Sequence, residues 1–203
     1  MTYQVVSIVP QDKKKVRVCL DNGDSFILYK GEAAKLSLFE KEEIDDAKYG
    51  QIMTEILGKR ATKRAMYLLE QQERTEKQLR DKLEQNGYPT QCIEQAIAYV
   101  KSYHYVDDYR YATVYIRYHQ EKESRQKLTQ KLMMRGISRE LIQRALEEEF
   151  VADERAQIKE LLRKRRFDPE NADEATRRKT AQFLMRKGFK SRDVFQVMCM
   201  EEY

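Results

Sequence analysis

The chain has 203 residues, with 39 Lys+Arg against 34 Asp+Glu and a formal net charge of +5. Charged residues reach 36%, while only 7 glycines and 3 prolines are present, so turns are few, elements are long, and an all-β sandwich or a doubly wound nucleotide-binding fold is disfavoured. No stretch approaches about 18 uncharged apolar residues, and the opening Met-Thr-Tyr-Gln-Val-Val lacks the pattern of an export signal, which predicts a soluble cytoplasmic protein.

Strand-like text is confined to the start: Val5 to Val9, Lys15 to Leu20 and Ser25 to Tyr29. Asn22-Gly23 between the last two runs is the favoured pair for a two-residue hairpin, because both residues tolerate positive φ. A small three-stranded antiparallel sheet over residues 1–44 is expected. From about Asp45 the pattern turns helical: Ile52, Ile56, Leu57, Ala61, Ala65, Leu68 and Leu69 fall on one stripe, predicting one long helix to about Glu73.

Beyond residue 60 the chain repeats itself. Residues 75–88, 124–137 and 176–189 superpose without a gap. Each copy starts with Ser or Thr (Thr75, Ser124, Thr176), suited to accept an orphan N–H at a helix start, and Thr75 with Gln78 makes a capping box. Each closes on a glycine (Gly87, Gly136, Gly188), which enters the left-handed region at little cost. Between cap and glycine lie Leu79 and Leu83, Leu128 and Leu132, and Leu184, with Thr180 interrupting the third copy. A large apolar residue follows (Tyr88, Ile137, Phe189), then a helix carrying Ile93 and Ile97, Ile142 and Leu146, or Val194 and Met198. A further helix precedes the later units, over 108–121 and 154–166. The reading is mainly α: three tandem three-helix, helix-turn-helix-like repeats of about 50 residues in an elongated curved array, at 45–106 (with the long helix), 107–152 and 153–203.

Groups for catalysis are scarce. His104 and His119 sit among tyrosines on helical text, and no glycine-rich phosphate loop, zinc spacing or Gly-x-Ser-x-Gly elbow occurs. Asp45-Asp46 and Asp107-Asp108 stand where helices begin and read as caps rather than magnesium ligands. Cys19, Cys92 and Cys199 have no paired spacing and read as reduced, mostly buried thiols. No catalytic residue, metal or cofactor is assigned.

Positive charge rises along the chain: net zero over 1–60, −1 over 61–109, +2 over 110–153 and +4 over 154–203. Cations recur on the repeat helices: Arg74, Lys77, Arg80 and Lys82; Arg125, Lys127, Lys131 and Arg135; Arg177, Arg178, Lys179, Arg186 and Lys187; with the denser run Arg163-Lys164-Arg165-Arg166. Repeated cations on a periodic array are the footprint of a partner with regularly spaced negative charge. The residues opening the last helices (Pro89-Thr90-Gln91, Ser138-Arg139-Glu140, Lys190-Ser191-Arg192) share no base-reading code, so backbone recognition is the better expectation.

Three segments together carry a family resemblance: Arg74-Thr75-Glu76-Lys77-Gln78-Leu79-Arg80-Asp81-Lys82-Leu83; Tyr105-Val106-Asp107-Asp108-Tyr109-Arg110-Tyr111-Ala112; and Lys127-Leu128-Thr129-Gln130-Lys131-Leu132-Met133-Met134-Arg135-Gly136-Ile137. It continues in Phe183-Leu184-Met185-Arg186-Lys187-Gly188-Phe189, so that residues 60–200 resemble RecX, the bacterial modulators of RecA recombinase. The strand-rich start resembles the N-terminal extension of longer members; Ser124 stands where many have glycine. The resemblance implies a non-enzymatic monomer that lies in the groove of the RecA–single-stranded-DNA filament. There it would limit growth, ATP hydrolysis, strand exchange and LexA cleavage, in DNA repair, homologous recombination and the SOS response. Single-stranded DNA, and double-stranded DNA secondarily, are the implied nucleic-acid partners; no membrane is implied. A sequence-reading helix-turn-helix transcriptional regulator is the alternative, followed by a helical scaffold and, last, a nuclease.

Overall fold

The structure, a computed structural model, describes residues 2–198; Cys199, expected to be a buried thiol, lies outside them. Two compact units divide the chain, the first ending at Asp107 and the second beginning at Asp108.

In the first unit β1 (Thr2–Pro10), β2 (Lys15–Leu20), β3 (Ser25–Tyr29) and β4 (Glu43–Asp45) form an antiparallel sheet of order β3-β2-β1-β4. The sheet has four strands where the sequence predicts three. β4 is only three residues long, too short to display alternation, and it is recruited by pairing Ile44 with Tyr3, which buries Ile44 completely. The β2–β3 hairpin also departs from expectation. Leu20 N–H donates to Asp24 O (2.9 Å) and Gly23 N–H to Leu20 O (3.1 Å), leaving a three-residue loop, Asp21-Asn22-Gly23. Only Gly23 takes positive φ (+88°), and Asp21 is tied to β1 through Gln4 N–H and Gln4 O, which favours the longer loop.

After α1 (Lys30–Lys35), a short helix not expected from the sequence, one continuous helical rod covers α2 (Asp46–Gln51), a π-helical stretch (Ile52–Gly58) and α3 (Lys59–Gln71). Asp45 caps it, accepting Lys48 N–H at 2.7 Å. Its widened turn ends at Gly58, where an added Cβ would overlap Gln95 of the packed neighbour and lie 2.9 Å from Met53 O. With α4 (Glu76–Gln85) and α5 (Thr90–Ser102) the rod makes the first three-helix module. Leu79, Leu83, Ile93 and Ile97 share one apolar core with Val5, Val18, Phe26, Leu28 and Ile44 of the sheet. Cys92 is buried in it, and burial pushes its thiol up to about 11; Cys92 and half-buried Cys19 are both free.

The second unit holds two further modules, α6 (Asp108–His119), α7 (Arg125–Met134) and α8 (Arg139–Glu149), then α9 (Glu154–Lys164), α10 (Glu174–Arg186) and α11 (Ser191–Val197). Each has its own core, Ile116, Leu128, Leu132, Ile142 and Leu146 in one, Ile158, Leu184, Phe189 and Val194 in the other. The capping box forms as expected at Thr75, and Ser124 accepts Lys127 N–H at 3.2 Å. The third copy differs: α10 starts a turn earlier, because Asp173 accepts Thr176 N–H at 2.8 Å and takes the cap from Thr176. Thr180 keeps the buried register of Leu79 and Leu128 despite its hydroxyl. Gly87, Gly136 and Gly188 end their helices at φ +78°, +87° and +91°.

The two modules of this unit are joined by polar contacts. Ser124 Oγ donates to Lys187 O at 2.9 Å, Arg125 N–H donates to Glu154 Oε1 at 2.9 Å, and Gln157 Nε2 donates to Gln120 O. Gly188 permits the first contact: a Cβ there would lie 2.5 Å from Ser124 Oγ. Gly188→Ala therefore meets both a left-handed backbone, costing about 1–2 kcal/mol, and a clash. In urea unfolding it should destabilise more than Gly23→Ala, whose Cβ would enter open space; equal effects would remove the joint. Leu132→Ala and Leu83→Ala, both at fully buried sites, should each cost about 2–5 kcal/mol, and a smaller loss would place them outside the cores.

Candidate functional site

The cations expected to form a stripe separate into two groups by what surrounds them. In the first module they are largely engaged. Arg80 forks onto Glu94 (2.5 and 2.9 Å) and reaches Glu76 Oε1 (2.9 Å from Nε). Its guanidinium is held well above its ordinary range by the bonds to Glu94, then Glu76, against partial burial. Lys101 adds a second cation to Glu76 at 2.6 Å. Burial pushes the Glu76 carboxyl up, but hydrogen bonds from Lys101 and Arg80 outweigh it and the net shift is downward. Lys77 pairs with Asp81 (2.8 Å), Lys82 donates to Gln85 Oε1 (3.1 Å) and Arg74 to Leu68 O (3.3 Å).

In the second module Lys131 pairs with Glu123, whose hydrogen bond raises the lysine above its ordinary range. Arg135 lies 4.6 Å from the Tyr115 ring centroid and donates to Tyr111 Oη and Lys131 O (3.2 and 3.0 Å). Arg125 stands 5.9 Å from the Phe150 ring. Such contacts fix a cation's position and leave less of its charge to a partner. Lys127, half-buried, has no side-chain partner among the described residues.

The third module is different. Arg163 is bidentate to Glu160 (2.8 Å twice), Lys164 is 3.5 Å from the same carboxylate, and together they draw Glu160 down to about 2, Arg163 first. Arg165 covers the Phe183 ring (4.2 Å), and Arg177 donates to Ala172 O and Pro169 O (3.0 and 2.5 Å). Arg166, Arg178 and Lys179 are exposed, and none makes a side-chain hydrogen bond or ion pair among the described residues. Arg186 is equally exposed and unpaired. Arg178, Gln182 and Arg186 continue every fourth residue along α10 the row that Glu174 begins, and Lys179 lies beside them, so one helix face carries three cations that make no ion pair among the described residues.

Sequence reasoning passed over the tyrosines at the end of α5. Tyr99, Tyr103 and Tyr105 are 44%, 56% and 45% exposed with ring centroids 4.9 and 5.8 Å apart in succession. Their signal was visible as three tyrosines within seven residues, but it reads equally well as core. His119 lies against Tyr115, ring centroids 4.2 Å apart and planes tilted by 40°. Among the described residues no group of His, Cys, Asp and Glu is placed to hold a metal, and no helix is long and apolar enough to cross a membrane.

Three family profiles match the chain: the RecX first three-helix domain over residues 61–99, the second over 107–146 and the third over 153–198. The chain is 27% identical over 200 residues to Regulatory protein RecX of Clostridium tetani, covering 95% of this chain and 91% of that protein. It is 29% identical over 156 residues to Regulatory protein RecX of Caldanaerobacter subterraneus subsp. tengcongensis, covering 76% and 79%. A crystal structure of regulatory protein RecX shares the fold with TM-score 0.64 and 24% identity over 97% of this chain and 98% of that one. The match of all three three-helix domains, in order and covering more than half of the sequence, places this chain in the RecX family of regulatory proteins.

Proposed function

We propose that this protein regulates RecA without catalysing a reaction of its own: it binds the RecA–single-stranded-DNA filament in its groove and restrains growth, and with it ATP hydrolysis, strand exchange and LexA cleavage. It acts as a cytoplasmic monomer, and its cations face the DNA phosphates and acidic filament surface. Family membership through three successive three-helix domains carries the reading. The exposed face of Arg178, Lys179 and Arg186, none of them in an ion pair among the described residues, supports an electrostatic share, with Lys127 and Arg166 as further contacts. Arg74, Lys77, Arg80, Lys82, Arg125, Lys131, Arg135, Arg163, Lys164, Arg165 and Arg177 contribute secondarily, since each is already engaged within its own module.

The test is RecA ATP hydrolysis on single-stranded DNA, with the cognate recombinase titrated by this protein. Loss of hydrolysis well below one copy per recombinase is expected; no effect at any ratio, together with a preferred duplex sequence, would favour a transcriptional regulator. Reversing Arg178, Lys179 and Arg186 to Glu should weaken inhibition, leave the far-ultraviolet spectrum unchanged, and reduce the salt slope of DNA binding by about one for each phosphate no longer neutralised. Full inhibition by that triple variant would remove α10 from the interface. Lys131→Glu is a poorer probe, because it would put a carboxylate against Glu123.

A further inference from the structure

A cleft of about 430 Å³ opens in the first unit between the edge strand β3 and the α3–α4 side of the first module. Its walls carry three cations, Lys15 from β2 and Arg60 and Arg64 from successive turns of α3, and no carboxylate. Two aromatic rings, Tyr29 and Tyr88, and the amides of Gln85 and Asn86 complete the polar lining. Gly87 forms part of the floor, where any Cβ would lie 2.6 Å from Ile27 Cδ1, so the sheet and the helix turn approach as closely as the backbone allows.

The three cations are not equivalent. Arg60 is compensated by Glu32 at 2.5 Å, and the same carboxylate oxygen also accepts Tyr29 N–H at 2.8 Å. Lys15 and Arg64 make no ion pair among the described residues. Arg64 is nevertheless held: its Nε donates to Asn86 Oδ1 at 2.8 Å and its guanidinium carbon lies 5.2 Å from the Tyr67 ring centroid. A guanidinium fixed through Nε and a ring contact keeps its terminal N–H donors for a tetrahedral oxyanion and loses little entropy on binding one. Lys15 Nζ stands 5.6 Å from the Tyr29 ring centroid, on the side of the cleft formed by the sheet. A volume near the lower end of small-molecule sites suits one nucleotide rather than a duplex, and tyrosine rings beside cations suit an aromatic base carrying a phosphate.

We propose that this cleft binds the phosphate of a nucleotide, with Lys15 and Arg64 on the phosphate oxygens and Tyr29 beside the base. The nucleotide arrives either free or as one unit of a single strand; the phosphate chemistry is the same. The site lies wholly in the first unit and does not rest on the filament reading, so its test contains no recombinase.

Amide spectra of the full ¹⁵N-labelled chain are recorded while titrating inorganic phosphate, thymidine monophosphate and a short oligothymidylate in turn. Saturable shifts at Asn86 and Gly87 are expected with the monophosphate, the oligonucleotide or both. Tighter binding of the oligonucleotide assigns the strand as source, and equal binding assigns the free nucleotide. Arg64→Gln and Lys15→Gln should each weaken binding at least about tenfold, the loss of one charge-assisted hydrogen bond, while Lys59→Gln, which removes an exposed partner of Glu55, should not. Unchanged binding in Lys15→Gln and Arg64→Gln, or no saturable shift with any probe, overturns the proposal. Phosphate binding as tightly as the monophosphate would overturn the role of Tyr29.

Discussion

A helix must end before the next can turn back on it, and in all three modules the first of the two closing helices ends on a left-handed glycine. At two of those glycines the missing side chain does a second thing. Gly87 lets Ile27 of the sheet come within a distance no Cβ would permit, and Gly188 does the same for Ser124 of the preceding module. The residue that closes the helix is thus also the socket into which a neighbour fits. This matters because a three-helix module of this size buries too little apolar surface to be secure alone. The first module solves that by sharing one core with the sheet. The second and third keep separate cores and are held together by hydrogen bonds around Ser124, Gln120 and Gln157.

Charge is arranged along the same lines. Where a module has docked against a sheet, its cations are absorbed by carboxylates one turn away or on the adjoining helix, as at Arg80, Glu76 and Glu94. Exposed pairs of this kind add little stability, about 0–1 kcal/mol each. Their larger effect is to cancel the field that an anionic partner would feel. On α10 no ion pair forms with three of the cations: Arg178, Lys179 and Arg186 remain exposed and unpaired among the described residues. The rise in net charge toward the end of the chain therefore does not fall evenly on the third module, where Arg163, Lys164, Arg165 and Arg177 are engaged and the α10 face is not.

Much of the fold was legible because its signals are local. Cap, four-residue apolar spacing and closing glycine lie within fourteen residues of one another, and they located all three repeats. What escaped depends on distant partners. β4 has no pattern of its own and exists because β1 offers an edge to Ile44. The hairpin loop gained a residue because Asp21 is anchored to Gln4. The start of α10 was misplaced for a local reason, two capping side chains three residues apart, of which Asp173 holds the cap. Among the candidate cations, spacing to acidic neighbours does not separate the engaged from the unpaired: Glu76 precedes Arg80 and Glu160 precedes Lys164 by four and each pair forms, whereas Glu174 precedes Arg178 and Glu123 precedes Lys127 by four and neither of these does. Nor does it reveal the pairing of Lys131, because its partner Glu123 is eight residues distant and meets it only through the fold.

The socket glycines also explain why the N-terminal sheet is more than an appendage. Ile27 seats on Gly87, and this contact sets the spacing between β3 and the turn after α4, across which Lys15 and Tyr29 face Arg64 and Asn86. Neither wall of the cleft makes an anion site alone: the sheet side supplies a single lysine, and the helix side supplies a single uncompensated arginine. Two cations converge on one volume only because a backbone without a side chain lets the two layers meet. A substitution at Gly87 would therefore act on the cleft without touching any of its charges, by moving one wall relative to the other.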